Sequence, residues 1–579
     1  MGFPLAFRRS FLFVPAIVAV LAFAVAPQFA HAAPSTYDPR EVGLASGERD
    51  QAPWGMCWDF AGMMALESYL VTNDLANPDI DLSEEAVPWH VLAICREQMG
   101  AEQAFGWTVG RGTRDDSGYA AMMTGYFMSW LGPNLERDIP YYRGSYDDPM
   151  GIYPLEERPA ALDGASKPFQ VTDIVYFENP TRDEVKEAVL SFGGVATGCN
   201  LSLDYYREDT AALWYPVPES ESFVNHAVCI VGWDDSFPRT SFQDQEGNLP
   251  ASDGAWLVKS SERSDGIAAY LWVSYEDGAV LTSDWFNPTY AVAGARTTTD
   301  RNVYHVDDLG ASTLVSSKDA ERTAHATAGA LSDGGGTLTC ANVYDFAESE
   351  RIVEVMFMSM AKGAAYRLFY LPVDDTGTPL LDESRTIELA CGVVEHAGYT
   401  TVELGDGAVL PSGPGALVIE LASDIVEPSL GAEASVASAG LDYSTSRVNG
   451  DRSFYLVDGD TVPTSDNPNM PVKLVLRAYG APDDAGGDGD GSGEGGGAGE
   501  NGGFAGSGSD DGSGESADDG STVDAGEGAE GAAGYAHDPL PATSDASFRL
   551  AFGAAALALA AGAVVWRIVR RSDRSPRWR

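Results

Sequence analysis

The sequence predicts an α+β protein with two folded regions, then a disordered spacer and one membrane-spanning helix. Three observations predict this. Helical apolar spacing dominates to about Trp130, and strand alternation dominates after Asp173. From Asn302 to about Tyr479, short alternating runs such as Ile352-Val-Glu-Val-Met-Phe-Met and Ala416-Leu-Val-Ile-Glu-Leu are separated by Gly, Pro and Asp clusters, the pattern of an all-β sandwich. From Pro482 to Asp545 the chain is rich in Gly, Ser, Asp and Glu, has no Lys or Arg, and cannot bury a core.

Residues 1–32 read as a secretory signal. Arg8-Arg9 give a basic start, Phe11 to Val25 an apolar stretch, and Ala30-His31-Ala32 a small-residue cleavage site. The next informative stretch is Gln51-Ala-Pro-Trp-Gly-Met-Cys57-Trp-Asp-Phe60. Trp58, Phe60, Met63, Met64, Leu66, Tyr69 and Leu70 follow helical spacing, so Cys57 stands at the N-terminus of a core helix. Such a position favours the thiolate, the nucleophilic form, and predicts a depressed thiol pKa. A lone cysteine there also reads as a buried structural residue. A nucleophile needs a base, and His226 opens the apolar strand pattern Asn225-His-Ala-Val-Cys-Ile-Val-Gly-Trp-Asp234. Thr181-Arg-Asp-Glu184 is a capping box for a helix that stops near Gly193-Gly194.

The order Gln51, Cys57, His226 and downstream strands resembles the papain-like cysteine peptidases. Among them it is most similar to bacterial surface members with a lectin-like domain after the peptidase. The resemblance spans roughly Tyr37 to Pro288 and implies two lobes with a cleft between Cys57 and His226. It implies that Gln51 helps form the oxyanion hole, that Cys57 is the nucleophile and that His226 is the general base. Ser117-Gly118 resembles the Gly-Gly segment that binds substrate backbone. Leu131 to Tyr142 resembles the family's segment ending in Pro-Tyr. With a signal ending at residue 32, roughly two dozen residues precede Cys57, too few for the long inhibitory propeptide of eukaryotic relatives.

The family's third catalytic group is an Asn in Lys-Asn-Ser-Trp-Gly. Here the segment reads Lys259-Ser260-Ser261-Glu262-Arg263, so Ser260 stands in the Asn position and Glu262 replaces the shielding Trp. Serine is shorter and can rotate, which predicts a slow but real peptidase. The other reading from this departure is a weak or inactive surface protein acting as an adhesion or carbohydrate-binding module. Asp59, where the family prefers a small residue, points away from Cys57 and is expected to matter little.

The domain boundaries expected are 33–292 for the peptidase, 300–480 for the lectin-like sandwich and 481–547 for the spacer. Then come a helix over 548–569 and a basic tail over 570–579. Leu540-Pro-Ala-Thr-Ser544 resembles a sortase signal with Ser in place of Gly. The apolar run Leu550 to Trp566 is about long enough to span, and the arginines after it place the C-terminus inside. The protein is thus read as exported and held at the surface by a wall linkage or by the helix. Expected partners are extracellular protein or peptide substrates, with surface glycans and a sortase implied by the resemblance. The net charge of -50 argues against nucleic acid, and no cofactor or Cys/His metal spacing is present. Cys199 and Cys229 read as core, while Cys340 and Cys391 could bridge in an exported setting.

Overall fold

The computed structural model describes residues 33–91, 106–109, 118–144, 160–324, 335–438, 441–444, 452–466 and 471–482. The signal-like segment 1–32, Ser117, the sorting-like motif at 540–544, the apolar run 548–569 and the basic tail lie outside them, as does all but the start of the spacer. Among the described residues no helix is long and apolar enough to cross a membrane.

Helix α1 spans Cys57–Thr72 and is buried from Trp58 to Val71. A helix that is apolar nearly all round has no solvent face to present, so it forms the centre of a core. Around it pack the short helix α2 (Ala86–Val91) and helix α3 (Ala120–Met128). On its other side lies the His226–Asp234 strand. Cys229 and Val231 of that strand face the α1 core, whereas Val228 and Ile230 face a second core with Val185 and Val189 of helix α4 (Arg182–Phe192). Both faces are covered, so the strand reads as a nearly continuous apolar run.

Helix α4 begins as expected. Thr181 Oγ accepts from the Glu184 N–H (3.2 Å), and Glu184 Oε2 accepts from the Thr181 N–H (2.8 Å). It ends at Gly193 with φ of +82°, where a Cβ would stand 2.3 Å from the Ser68 carbonyl oxygen. Only glycine tolerates both the left-handed backbone and that approach.

The second region is the sandwich expected. A six-stranded sheet that includes Gly336–Phe346, Ala365–Pro372 and Gly413–Ser423 packs on the strands Glu350–Ser359, Gly398–Ala408 and Leu476–Pro482. These last three strands do not end with the sandwich. Gly398 and Tyr399 pair antiparallel with Val175 and Ile174, joining them to the Phe169–Phe177 strand of the first region. One thirteen-stranded sheet therefore runs through both regions, which form a single compact unit. The connection between them is also tied down, because Glu354 pairs with both Arg296 and Arg301.

Cys340 and Cys391 are free. Their strands are separated by two others in the six-stranded sheet, and Cys340 is buried while Cys391 is exposed. Three strand spacings of roughly 4.8 Å exceed what a disulfide can span, so the bridge left open by the sequence does not form here. Cys199 and Cys229 are buried in the core as expected.

Candidate active site

Helix α1 and the His226–Asp234 strand set the site. Cys57 is half-buried at the first turn of α1, with its sulfur facing the backbone N–H of Ala227, the residue after His226. His226 is buried, and its Nε2 meets Ser260 Oγ at 3.0 Å. That contact occupies one ring nitrogen. The structure therefore brings together Cys57, His226 and Ser260, residues far apart in sequence.

Ser260 is more restrained than its size suggests. It is fully buried, its Oγ accepts a second bond from the Glu262 N–H (3.2 Å), and its own N–H donates to the Ala269 carbonyl (2.9 Å). The Glu262 N–H uses one hydroxyl lone pair, so the remaining capacity is directed at the imidazole.

Gln51 is buried and braced on every side. Its Nε2 donates to the Trp54 carbonyl (3.1 Å), and its Oε1 accepts from Ser261 Oγ (2.8 Å). Its backbone N–H donates to the Ser261 carbonyl (2.9 Å), and its own carbonyl accepts from Tyr141 Oη (2.8 Å). The second Nε2 hydrogen has no partner among the described residues. Tyr141 and Tyr142 are the Pro-Tyr segment, and the Tyr142 carbonyl accepts from Trp54 Nε1 (2.8 Å). Gly118 lies against the indole of Trp58, where a Cβ would stand 2.3 Å from the ring. Asp59 is fully buried and pushes the Tyr126 and Tyr290 hydroxyls further up, beyond what burial does.

Electrostatics differ from the sequence expectation. Burial pushes the Cys57 thiol up to about 11, and the Glu262 carboxylate raises it further. The N–H groups of Ala227, Trp58 and Cys57 itself oppose this without overcoming it. Burial pushes the His226 imidazole down to about 4, with Glu262 acting the other way. In both groups burial opposes the charged form, so the thiol is shifted up and the imidazole down. The helix N-terminus helps, but removing the sulfur from water costs more.

Sequence reasoning missed two supports. One is Ser261, which holds the Gln51 amide and looks in sequence like one more loop serine. The other is a buried charge network around Glu67, a fully buried residue of α1. Arg49 bonds Glu67 at 2.6 Å and Asp81 at 3.1 Å, while Lys259 Nζ stands 3.9 Å from Glu67 and donates to Ser46 Oγ at 2.7 Å. Arg49 lies two residues before Gln51, and Lys259 directly precedes Ser260. A glutamate among the apolar positions of a core helix was the available signal. Among the described residues no group of His, Cys, Asp or Glu could hold a metal ion.

Comparison with known proteins identifies both regions. Residues 33–277 match the papain family cysteine protease profile, and residues 324–479 match the lectin like domain. Cathepsin J of Mus musculus is 24% identical over 244 residues, 42% of this chain and 60% of that protein, so the chain spans about three-fifths of that curated relative. The clostridial cysteine protease Cwp84 after propeptide cleavage superposes with a TM-score of 0.65 at 28% identity, covering 77% of this chain and 99% of that one. A structure of the cysteine protease and lectin-like domains of Cwp84, a surface layer associated protein of Clostridium difficile, gives 0.63 at 26% identity over 77% and 88%. The chain carries a papain-family cysteine peptidase domain followed by a lectin-like domain.

Proposed function

We propose that the protein is an exported, surface-held cysteine endopeptidase. The observation that carries this is the contact of His226 Nε2 with a doubly held Ser260, beside a thiol at the start of a buried helix. His226 Nδ1 takes the thiol proton as the sulfur attacks the substrate carbonyl carbon. The oxyanion is held by the free Gln51 Nε2–H and the backbone N–H of Cys57. The imidazolium then protonates the leaving amine, and the C–N bond breaks. Water, deprotonated by His226, attacks the acyl thioester and releases the new carboxylate and the thiol. Gly118 lies against the Trp58 indole, where a Cβ would clash, and the resemblance gives it the role of binding substrate backbone.

Surface location rests on the signal-like start, the spacer, the sorting-like Leu-Pro-Ala-Thr-Ser and the apolar run, together with the surface association of the Cwp84 relative. Extracellular proteins or peptides are the substrates this implies, with glycans as ligands of the second domain. The test is labelling of the purified 33–482 protein with an epoxide warhead selective for papain-like thiolates. Modification at Cys57 with loss of peptide hydrolysis, both absent in Cys57→Ala, is expected. A folded protein that neither labels at Cys57 nor cleaves peptides would favour the adhesion-module reading.

A further inference from the structure

Helix α3 runs between the cleft and the lectin-like region. Its leading end follows Gly118, which packs on Trp58 next to Cys57, and its first amides bond to the Phe286 carbonyl (2.9 Å) and to Asn287 Oδ1 (3.4 Å). Its trailing end is held from the other region. Arg477, on the Leu476–Pro482 strand, is fully buried and donates through Nη1 to the Met128 carbonyl at 2.6 Å. Its Nη2 donates to Ser129 Oγ at 3.2 Å, and its Nε lies 3.1 and 3.2 Å from the two oxygens of Asp307. Met128 is the last residue of α3, so its carbonyl is one a helix leaves without an intrahelical partner, and a cation there is favoured by the helix dipole.

Two neighbouring contacts make the hold stiff. A Cβ on Gly125, midway along α3, would stand 2.2 Å from the Leu309 carbonyl oxygen, so the helix presses on the 307–311 segment. Trp130, just past the helix, stacks on Tyr479 with ring centroids 4.0 Å apart. Nearly all of α3 is buried, so a shift at one end must be carried to the other.

We infer that Arg477 is a positioning residue for the peptidase: through α3 the lectin-like region sets where Gly118 stands and so how tightly the cleft holds substrate backbone. This rests on the peptidase reading above. Arg477→Lys in the 33–482 protein keeps a charge for Asp307 but cannot fork to three partners at once. It should raise KM about 5- to 20-fold, with kcat per labelled Cys57 within about twofold, because ground-state and transition-state binding are lost together. The amides of residues 120–128 should exchange with deuterium faster, while those of α4 do not change. Phe454→Leu, a buried change in the outer layer of the same lectin-like region, should lower Tm and leave both KM and α3 exchange unmoved. Ser129→Ala, which trims a single contact, should raise KM about twofold and serves if Arg477→Lys does not fold. Unchanged α3 exchange and KM in the Arg477 variant would overturn the inference, as would an equal KM rise in Phe454→Leu. If no peptide is cleaved by any form, exchange alone decides: faster opening of α3 in Arg477→Lys but not in Phe454→Leu supports it, and equal exchange refutes it.

Discussion

At the scale of single residues, the opposed shifts of the Cys57 thiol and the His226 imidazole have a measurable signature. Between the imidazole near 4 and the thiol near 11, the share of reactive thiolate–imidazolium does not depend on pH. Alkylation of Cys57 by iodoacetamide should therefore be level from about pH 5 to 9, whereas a free thiol gains about tenfold per unit up to about 8.5. Rates should fall as pH drops through about 4, where the imidazole takes its proton from solvent and is lost as a base. A rate that climbs steadily through pH 8 would show that His226 is not coupled to the thiol. Glu262 raises the His226 pKa, so Glu262→Gln should move the acid limb to lower pH. Ser260→Ala leaves both the Glu262 N–H and His226 Nε2 without their partner, and kcat/KM should fall by about 10- to 100-fold with Cys57 still labelling. Cys57, His226 and Gln51 could be singled out in the sequence because their side-chain chemistry is distinctive. Ser261 and Lys259 could not, because their roles come from contacts with Gln51 and Ser46 more than two hundred residues away. The upward shift of the thiol is hidden for a related reason. A helix N-terminus is visible in a sequence, whereas the depth of burial that outweighs it depends on packing.

At the scale of elements, local signals were read well where they were self-contained. The capping box at Thr181 and the stop at Gly193 need only a few adjacent residues. Gly193→Ala meets both a left-handed φ and the Ser68 carbonyl, and should cost about 2 kcal/mol, read as a lower urea midpoint with an unchanged slope. A midpoint equal to wild type would mean that the end of α4 relaxes freely. Helix α1 was legible as a helix, but not its full burial. Glu67 was hidden in it, and its partners arrive from a preceding loop and a distant strand.

At the scale of the whole molecule, the division into a peptidase and a sandwich was legible from the change in apolar period. The sheet shared by both was not, since Ile174 and Tyr399 pair across more than two hundred residues and no local pattern records it. The expected consequence is a single calorimetric unfolding transition for residues 33–482. Residues 33–300 alone would leave the Phe169–Phe177 strand without its Gly398–Ala408 neighbour and Trp130 without Tyr479. That fragment should be insoluble or strongly aggregating. Two well-separated transitions, or a soluble and active 33–300 fragment, would show that the regions fold independently.

The pairing of Gly398 and Tyr399 with the Phe169–Phe177 strand also bears on how such proteins diversify. A gene that exchanges its lectin-like half by recombination at the connection near residues 297–302 would inherit a peptidase half with an unmatched strand edge. The seam a recombination event must respect lies inside the peptidase half, not at its end. Lineages built this way are expected to diversify by substitution within loops of a fixed pair, with the two halves inherited together rather than dealt out as separate cassettes.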